Sequence, residues 1–320
     1  MKHNFKVTIL LMLLFFSAQI LGLFLLNMSI ESTVMTEDGT IEVTYTEPIT
    51  GRPDLQGQDS FAYILLMVLA GTILLLVLIR FKLFKIWKAW FFLAIWGSLT
   101  IALSVLMSEI YAAIIALVAT YLKLYRPNAL IHNFTEIFMY GGIAIMISPM
   151  FNVLWGALLL IAISIYDAIA VWKLKHMITL ATAQADKKMF AGLLIPYARQ
   201  KPQAAGKVTK QKEVTMETQS PASNLKISMP EGFEDEEVKS AILGGGDIAF
   251  PMLFAGSVMT FLIENGLTRE MAYLKTLLIP LFAGIALFIL LIKSEKDKFY
   301  PAMPFITAGC FVGFLVVILL

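Results

Sequence analysis

Apolar residues in this chain gather into long runs separated by short polar stretches. A run of about twenty apolar residues crosses the roughly 30 Å hydrocarbon core of a bilayer as a helix. Nine such segments are predicted, at residues 7–28, 61–79, 89–107, 109–122, 135–151, 153–172, 241–263, 271–292 and 300–320. The fourth is the shortest and reads as a tilted or partly sheltered helix. The first follows a basic stretch, Met1 to Lys6, as a secretory signal does. It is about twice as long as the apolar region of a signal peptide, and no small-x-small site closes it, so it reads as a true span. Between the first two spans, residues 40–46 (TIEVTYT) alternate and predict a short strand. The pattern gives an all-α polytopic membrane protein in three parts: spans one to six (1–172), a long loop (173–240) and spans seven to nine (241–320).

Charge assigns the two sides. With the N-terminus inside, the inner segments hold 22 of the 25 Lys and Arg residues. Basic loops stay on the inner side because cations are disfavoured for translocation. The first outer loop, residues 29–60, is the opposite, with seven acidic residues and one arginine. The C-terminus is then outside. In the long loop, residues 176–196 combine helix formers with apolar residues, which predicts a helix lying on the inner membrane surface. Residues 197–237 are polar and cannot bury a core, which predicts disorder. That stretch reads as a flexible linker between the two bundles, with a substrate gate or a cleavage site as the alternative.

Composition narrows the class further. Hydrophobic residues make up 58% of the chain and charged residues 15%, against roughly a quarter charged in a soluble domain. The net charge of +2 suggests no nucleic-acid partner. Cys310 is the single cysteine, so neither an internal disulfide nor a thiolate metal site is expected. His3, His132 and His176 fall near span ends and read as interfacial side chains rather than metal ligands. No cofactor is expected.

Ionisable groups deep in a span cost about several kcal/mol unless compensated, so each one asks for a reason. Glu109 and Glu136 follow Ser108 and Thr135 and read as first-turn acids at helix N-termini. Glu264 and Glu270 flank an outer turn, and Lys275 lies about one turn into its helix and can snorkel. Asp167 and Asp247 remain. Asp167 lies six residues before Lys173 and Asp247 eight residues after Lys239. At about 1.5 Å per residue both carboxylates sit roughly 9–12 Å from the inner interface, on antiparallel spans six and seven. A facing pair in low dielectric cannot both ionise, so it shares one proton and titrates as a unit. That is the acid–base arrangement of an aspartic protease.

The surrounding residues sharpen this. Asp167 follows Tyr166 in IYDAIAVW. Asp247 closes Gly244-Gly245-Gly246-Asp247, a G-x-G-D, and the ninth segment opens Tyr300-Pro301-Ala302-Met303-Pro304. In these motifs, their order and their spans, the chain resembles the presenilin and signal peptide peptidase family of intramembrane aspartyl proteases. Spans one to five match that family in number and polarity, and Met303 stands where the family has leucine. The resemblance implies hydrolysis of peptide bonds within transmembrane helices, with Asp167 and Asp247 catalytic. It implies that Tyr166, Gly244, Gly246, Pro301, Ala302, Met303 and Pro304 position the pair or the substrate. Glycines 244–246 loosen the backbone beside Asp247, and Pro251 one turn on removes a helix donor. Pro301 and Pro304 are expected to keep their segment out of helix, as a loop that contacts substrate. The implied partners are single-span membrane proteins as substrates and the bilayer itself, in the cell membrane. Self-association stays open, and no partner subunit is deducible. A proton- or cation-conducting transporter is the alternative use of a buried acid pair, but it would favour repeats with broken helices in both halves. Spans one to five hold no such cluster.

Overall fold

A computed structural model of the chain describes residues 5–36, 40–126, 128–174, 190–198, 238–294 and 300–320. Among them run α1 (Phe5–Met28), α2 (Gln58–Arg80), α3 (Phe84–Ser104), α4 (Glu109–Tyr125) and α5 (Ala129–Ile147). Then follow α6 (Val153–Ile169), α7 (Gly246–Glu264), α8 (Arg269–Thr276), α9 (Leu278–Lys293) and α10 (Met303–Leu319). Helix is what an apolar run must form in hydrocarbon, because it satisfies every backbone donor and acceptor within the segment. Seven stretches are long and apolar enough to cross a membrane, with α8 and α9 counted together as Arg269–Lys293. The helices α4 and α10, at 17 residues each, fall short of that length.

The first apolar run is intact as α1 and packs inside the bundle against α5, α7 and α9. Helix α7 is the most enclosed: every residue from Pro251 to Met259 is buried. At the other extreme, α2 buries only Ser60, Ile64 and Leu78 and leaves Leu66, Met67, Ile73 and Leu74 exposed, as a lipid-facing helix does. Phe254 of α7 packs edge-on against Phe311 and Phe314 of α10, with ring centroids 5.8 and 5.7 Å away. Helices α9 and α10 touch through small residues. A Cβ on Gly309 would lie 2.6 Å from the Phe282 carbonyl oxygen, and one on Gly313 2.7 Å from the Ile279 Cα.

The chain is not purely helical. Strands β1 (Ile30–Met35) and β2 (Ile41–Tyr45) form a hairpin between α1 and α2, and β2 lies where alternation predicts a strand. Strands β3 (Gly192–Ala198) and β4 (Val238–Gly244) pair antiparallel, with Gly192 opposite Gly244 and Ala198 opposite Val238. This second sheet corrects two expectations. Residues 192–196 are strand rather than surface helix, and the seventh span begins at Gly246 because residues 241–244 belong to β4. Residues 197 and 198, at the start of the stretch expected to be disordered, also belong to β3. The rest of that stretch, 199–237, and residues 176–189 of the expected surface helix lie outside the described residues, as do His3 and His176.

Candidate active site

The sheet sets where Asp247 stands. Strand β4 ends at Gly244, Gly245 turns the chain into the α-region, and α7 starts at Gly246, with Asp247 in its first turn. A Cβ on Gly244 would lie 3.3 Å from Asp247 Oδ2, so the carboxylate folds back over that glycine. The Gly245 carbonyl accepts from the Ala249 N–H at 2.9 Å. Pro251 lies inside α7 and has no N–H. The carbonyl four residues earlier, that of Asp247, therefore loses its usual helical partner.

Asp167 comes from the neighbouring helix. It is buried near the end of α6, directly before a π-helical turn at Ala170–Leu174. Such turns recur at functional sites because they re-aim side chains. Helix α6 packs against both α7 and α10. The Met303 backbone N–H, at the start of α10, donates to Asp167 Oδ2 at 3.2 Å. The backbone of Ala302 faces the same carboxylate. One turn away on both helices, Ser164 Oγ and Thr307 Oγ1 are 2.6 Å apart and fix the register of α6 on α10. The carboxylates of Asp167 and Asp247 lie within electrostatic reach of each other.

Of the other residues singled out in the sequence, Pro301 and Met303 are buried beside Asp167. Pro304 corrects an expectation. It lies in the first turn of α10, where a missing N–H leaves no bond unmade, so only Pro301 and Ala302 stay outside the helix. The Tyr166 hydroxyl is 3.2 Å from Thr72 Oγ1 and ties α6 to α2. Among the described residues, no three His, Cys, Asp or Glu side chains converge as metal ligands do.

One acid was misread. Helix α5 starts at Ala129, capped by Asn128, so Glu136 sits in its second turn and is not a terminal acid. Its side chain is 0% exposed and pairs with Lys123, which is 4% exposed in the last turn of α4. The Tyr140 hydroxyl donates to Glu136 Oε2, and the Gly192 N–H donates to the same oxygen at 3.0 Å. Gln19 of α1 is another residue the sequence did not flag. It is buried, and its Nε2 donates to the Ile248 carbonyl, one residue past Asp247, at 2.8 Å. The available signal was a polar residue within a span at helical spacing from its neighbours, a weak one when read alone.

Comparison with known proteins agrees with this architecture. A family model described as signal-peptide peptidase, presenilin aspartyl protease matches residues 12–320. Two solved structures of a presenilin family intramembrane aspartate protease share the fold. One, in space group C222, has a TM-score of 0.59 at 18% identity and covers 98% of each chain. The other, in space group P2, has a TM-score of 0.57 at 19% identity and covers 97% of this chain and 96% of that one. No curated protein matches. A sequence match running from α1 to the last helix takes in both aspartates and all the helices that carry them, so this chain belongs to the signal peptide peptidase and presenilin family of aspartyl proteases.

Proposed function

We propose that Asp167 and Asp247 are the catalytic pair of this intramembrane aspartyl protease. What supports the reading is their place on the packed helices α6 and α7, within electrostatic reach of each other, with Asp167 held by the Met303 N–H. One ionised carboxylate takes a proton from water as the water oxygen bonds to the peptide carbonyl carbon. The protonated partner donates to the carbonyl oxygen. Collapse of the tetrahedral intermediate breaks the C–N bond: the leaving nitrogen takes the proton that the first carboxylate drew from water, and a hydroxyl of the intermediate returns its proton to the other carboxylate as the C=O re-forms. No covalent enzyme intermediate forms. Family membership favours this use of the pair over ion conduction.

A substrate helix hides its carbonyls in its own hydrogen bonds, so it must unwind before water can attack. The extended segment then needs new backbone partners. Two features support a docking place beside the aspartates: the non-helical Pro301-Ala302 segment, and the edge of β4 that faces away from β3 in the two-stranded sheet. Non-helical backbone at membrane depth persists where it is buried in protein or lines a wet cavity. The substrates in this reading are single-span membrane proteins.

The same proposal takes the chain as nine spans in the cell membrane, N-terminus inside and C-terminus outside. Helices α4 and α10 complete the count. At about 1.5 Å per residue, each is nearly as long as the hydrocarbon core is thick. The placement of 22 of the 25 Lys and Arg residues on one side supports this sense.

Asp167→Ala and Asp247→Ala test the central claim. In reconstituted vesicles with a transmembrane peptide, each is expected to lower turnover by about 10²-fold or more while keeping the fold. Near-normal turnover in either variant would exclude the aspartyl pair.

A further inference from the structure

The buried acid at Glu136 has no part in the chemistry above, yet it is bound more fully than either aspartate. Lys123 of α4 donates to its Oε1, while Tyr140 of α5 and the Gly192 N–H of β3 donate to its Oε2. The same face of α5 continues this grip on β3. His132 Nε2 is 2.8 Å from the Gly192 carbonyl oxygen. Asn133 Nδ2 donates to the Leu194 carbonyl at 2.7 Å, and its Oδ1 accepts from the Leu194 N–H at 2.8 Å. Both backbone groups of Gly192 and of Leu194 are thus held by side chains of one helix.

Burying an ion pair seldom stabilises a fold beyond what an apolar pair of the same size would do, because desolvation offsets the attraction. What the carboxylate adds is geometry. It binds three elements at once, and an apolar side chain could not hold a strand N–H. The strand so held is the partner of the one that leads to Asp247: Gly192 of β3 lies opposite Gly244, the last residue of β4. The bracket also touches the next residue: a Cβ on Gly245 would lie 2.6 Å from the Tyr140 hydroxyl oxygen.

We propose that Glu136 is a positioning residue for Asp247, acting with Lys123 and Tyr140 as a buried charged bracket. It holds the β3–β4 sheet and the Gly244–Gly246 turn so that the carboxylate of Asp247 meets Asp167. This rests on the reading of Asp247 as catalytic. Misplacing a reacting group by about 1 Å costs on the order of 10²-fold in rate, so loosening the bracket should appear in kcat rather than in substrate binding.

Two sets of variants test this, with a reconstituted transmembrane peptide as substrate. In the first, Lys123→Met and Glu136→Leu are combined, replacing the ion pair by an apolar one. This variant is expected to stay folded with a lower melting temperature, because the Gly192 N–H and the Tyr140 hydroxyl lose their acceptor, to keep KM within about twofold, and to lose kcat by about tenfold or more. A folded variant with the parent's kcat would overturn the proposal, because the pair would then serve packing alone. The second set does not depend on the first variant folding. Gly245→Ala, whose new methyl displaces the Tyr140 hydroxyl from Glu136, and Tyr140→Phe, which removes that hydroxyl, are each expected to lower kcat severalfold with KM kept within about twofold, and the double variant is expected to lose little more than the worse single one. Independent, additive effects of these two substitutions would also overturn it. Asp247→Ala is the control that separates the two readings. If it stays active, the catalytic assignment falls. If it is inactive while the bracket variants turn over normally, only the bracket falls.

Discussion

Gly192 has φ +144°, a backbone conformation that side chains with a Cβ rarely adopt. A Cβ there would also lie 2.2 Å from the Leu243 carbonyl oxygen, inside the partner strand. Gly192→Ala is therefore expected to destabilise the second sheet by about 1–3 kcal/mol. Activity should fall with it, since Gly244 is Gly192's partner. Thermal unfolding in detergent beside peptide cleavage checks this; an unchanged melting temperature with full activity would refute it. At this scale Asp167, Asp247 and their motifs were legible in the sequence, because an acid in an apolar run has few other reasons to be there. Glu136 was not. Its partners lie on α4 and β3, and His132 and Asn133 read as loop residues until β3 is seen to use their side chains.

The two sheets differ in how far they could be foreseen. Strand β2 alternates and has its partner β1 a few residues away, so local pattern sufficed. Strand β3 is nearly all apolar, contains Pro196, and pairs with a strand some forty residues on. Residues 192 and 194 turn their backbone groups to α5, and strand alternation turns those of residue 196 the same way. Proline therefore costs no ladder bond there. The β1–β2 hairpin is tied to α7 by Tyr45, whose hydroxyl is 2.5 Å from Thr260 Oγ1. Burial pushes the Tyr45 hydroxyl up to about 12 from an ordinary value of 10.0, and the Glu264 carboxylate adds to the effect. The fold holds the neutral phenol, so this contribution is fully present below pH 10 and is lost as pH rises through about 12. Tyr45→Phe is expected to cost about 1 kcal/mol at neutral pH and to flatten the fall in stability above pH 10. Melting temperatures of both proteins across alkaline pH check it; parallel curves would count against it.

At the scale of the whole molecule, the proposed insertion sense carries an expectation about the direction from which substrates approach. An unwound strand docks on a fixed edge in one preferred direction, so the sense of insertion selects the sense of the substrate. Inserted with its N-terminus inside, the protease is expected to prefer single-span substrates whose N-terminus is outside. Cleavage should fall in the inner half of the membrane, and helix-weakening residues near the cut should speed it. Two measurements on sealed vesicles check this. Lysine labelling should reach Lys82 only from inside, and paired reporters with one cleavable span in both orientations should show faster cleavage of the N-outside form. Preference for the N-inside reporter, or cuts near the outer face, would refute it.

The sequence by itself determined what depends on solvent and on local order. Apolar run length specified helices in a membrane, and the sidedness of Lys and Arg predicted one insertion sense. Two acids with no local compensation stood out as the candidate pair, because hydrocarbon penalises an unexplained charge wherever it occurs. Only the tertiary structure decided what depends on contacts between distant segments. That includes the pairing of Gly192 with Gly244, the start of α7 at Gly246, the Met303 N–H on Asp167, and the burial of Glu136 with Lys123. These are hydrogen bonds and ion pairs between elements up to more than a hundred residues apart in the chain. No periodicity within either partner records them, because each side chain looks locally like an ordinary polar residue until the fold supplies its partner.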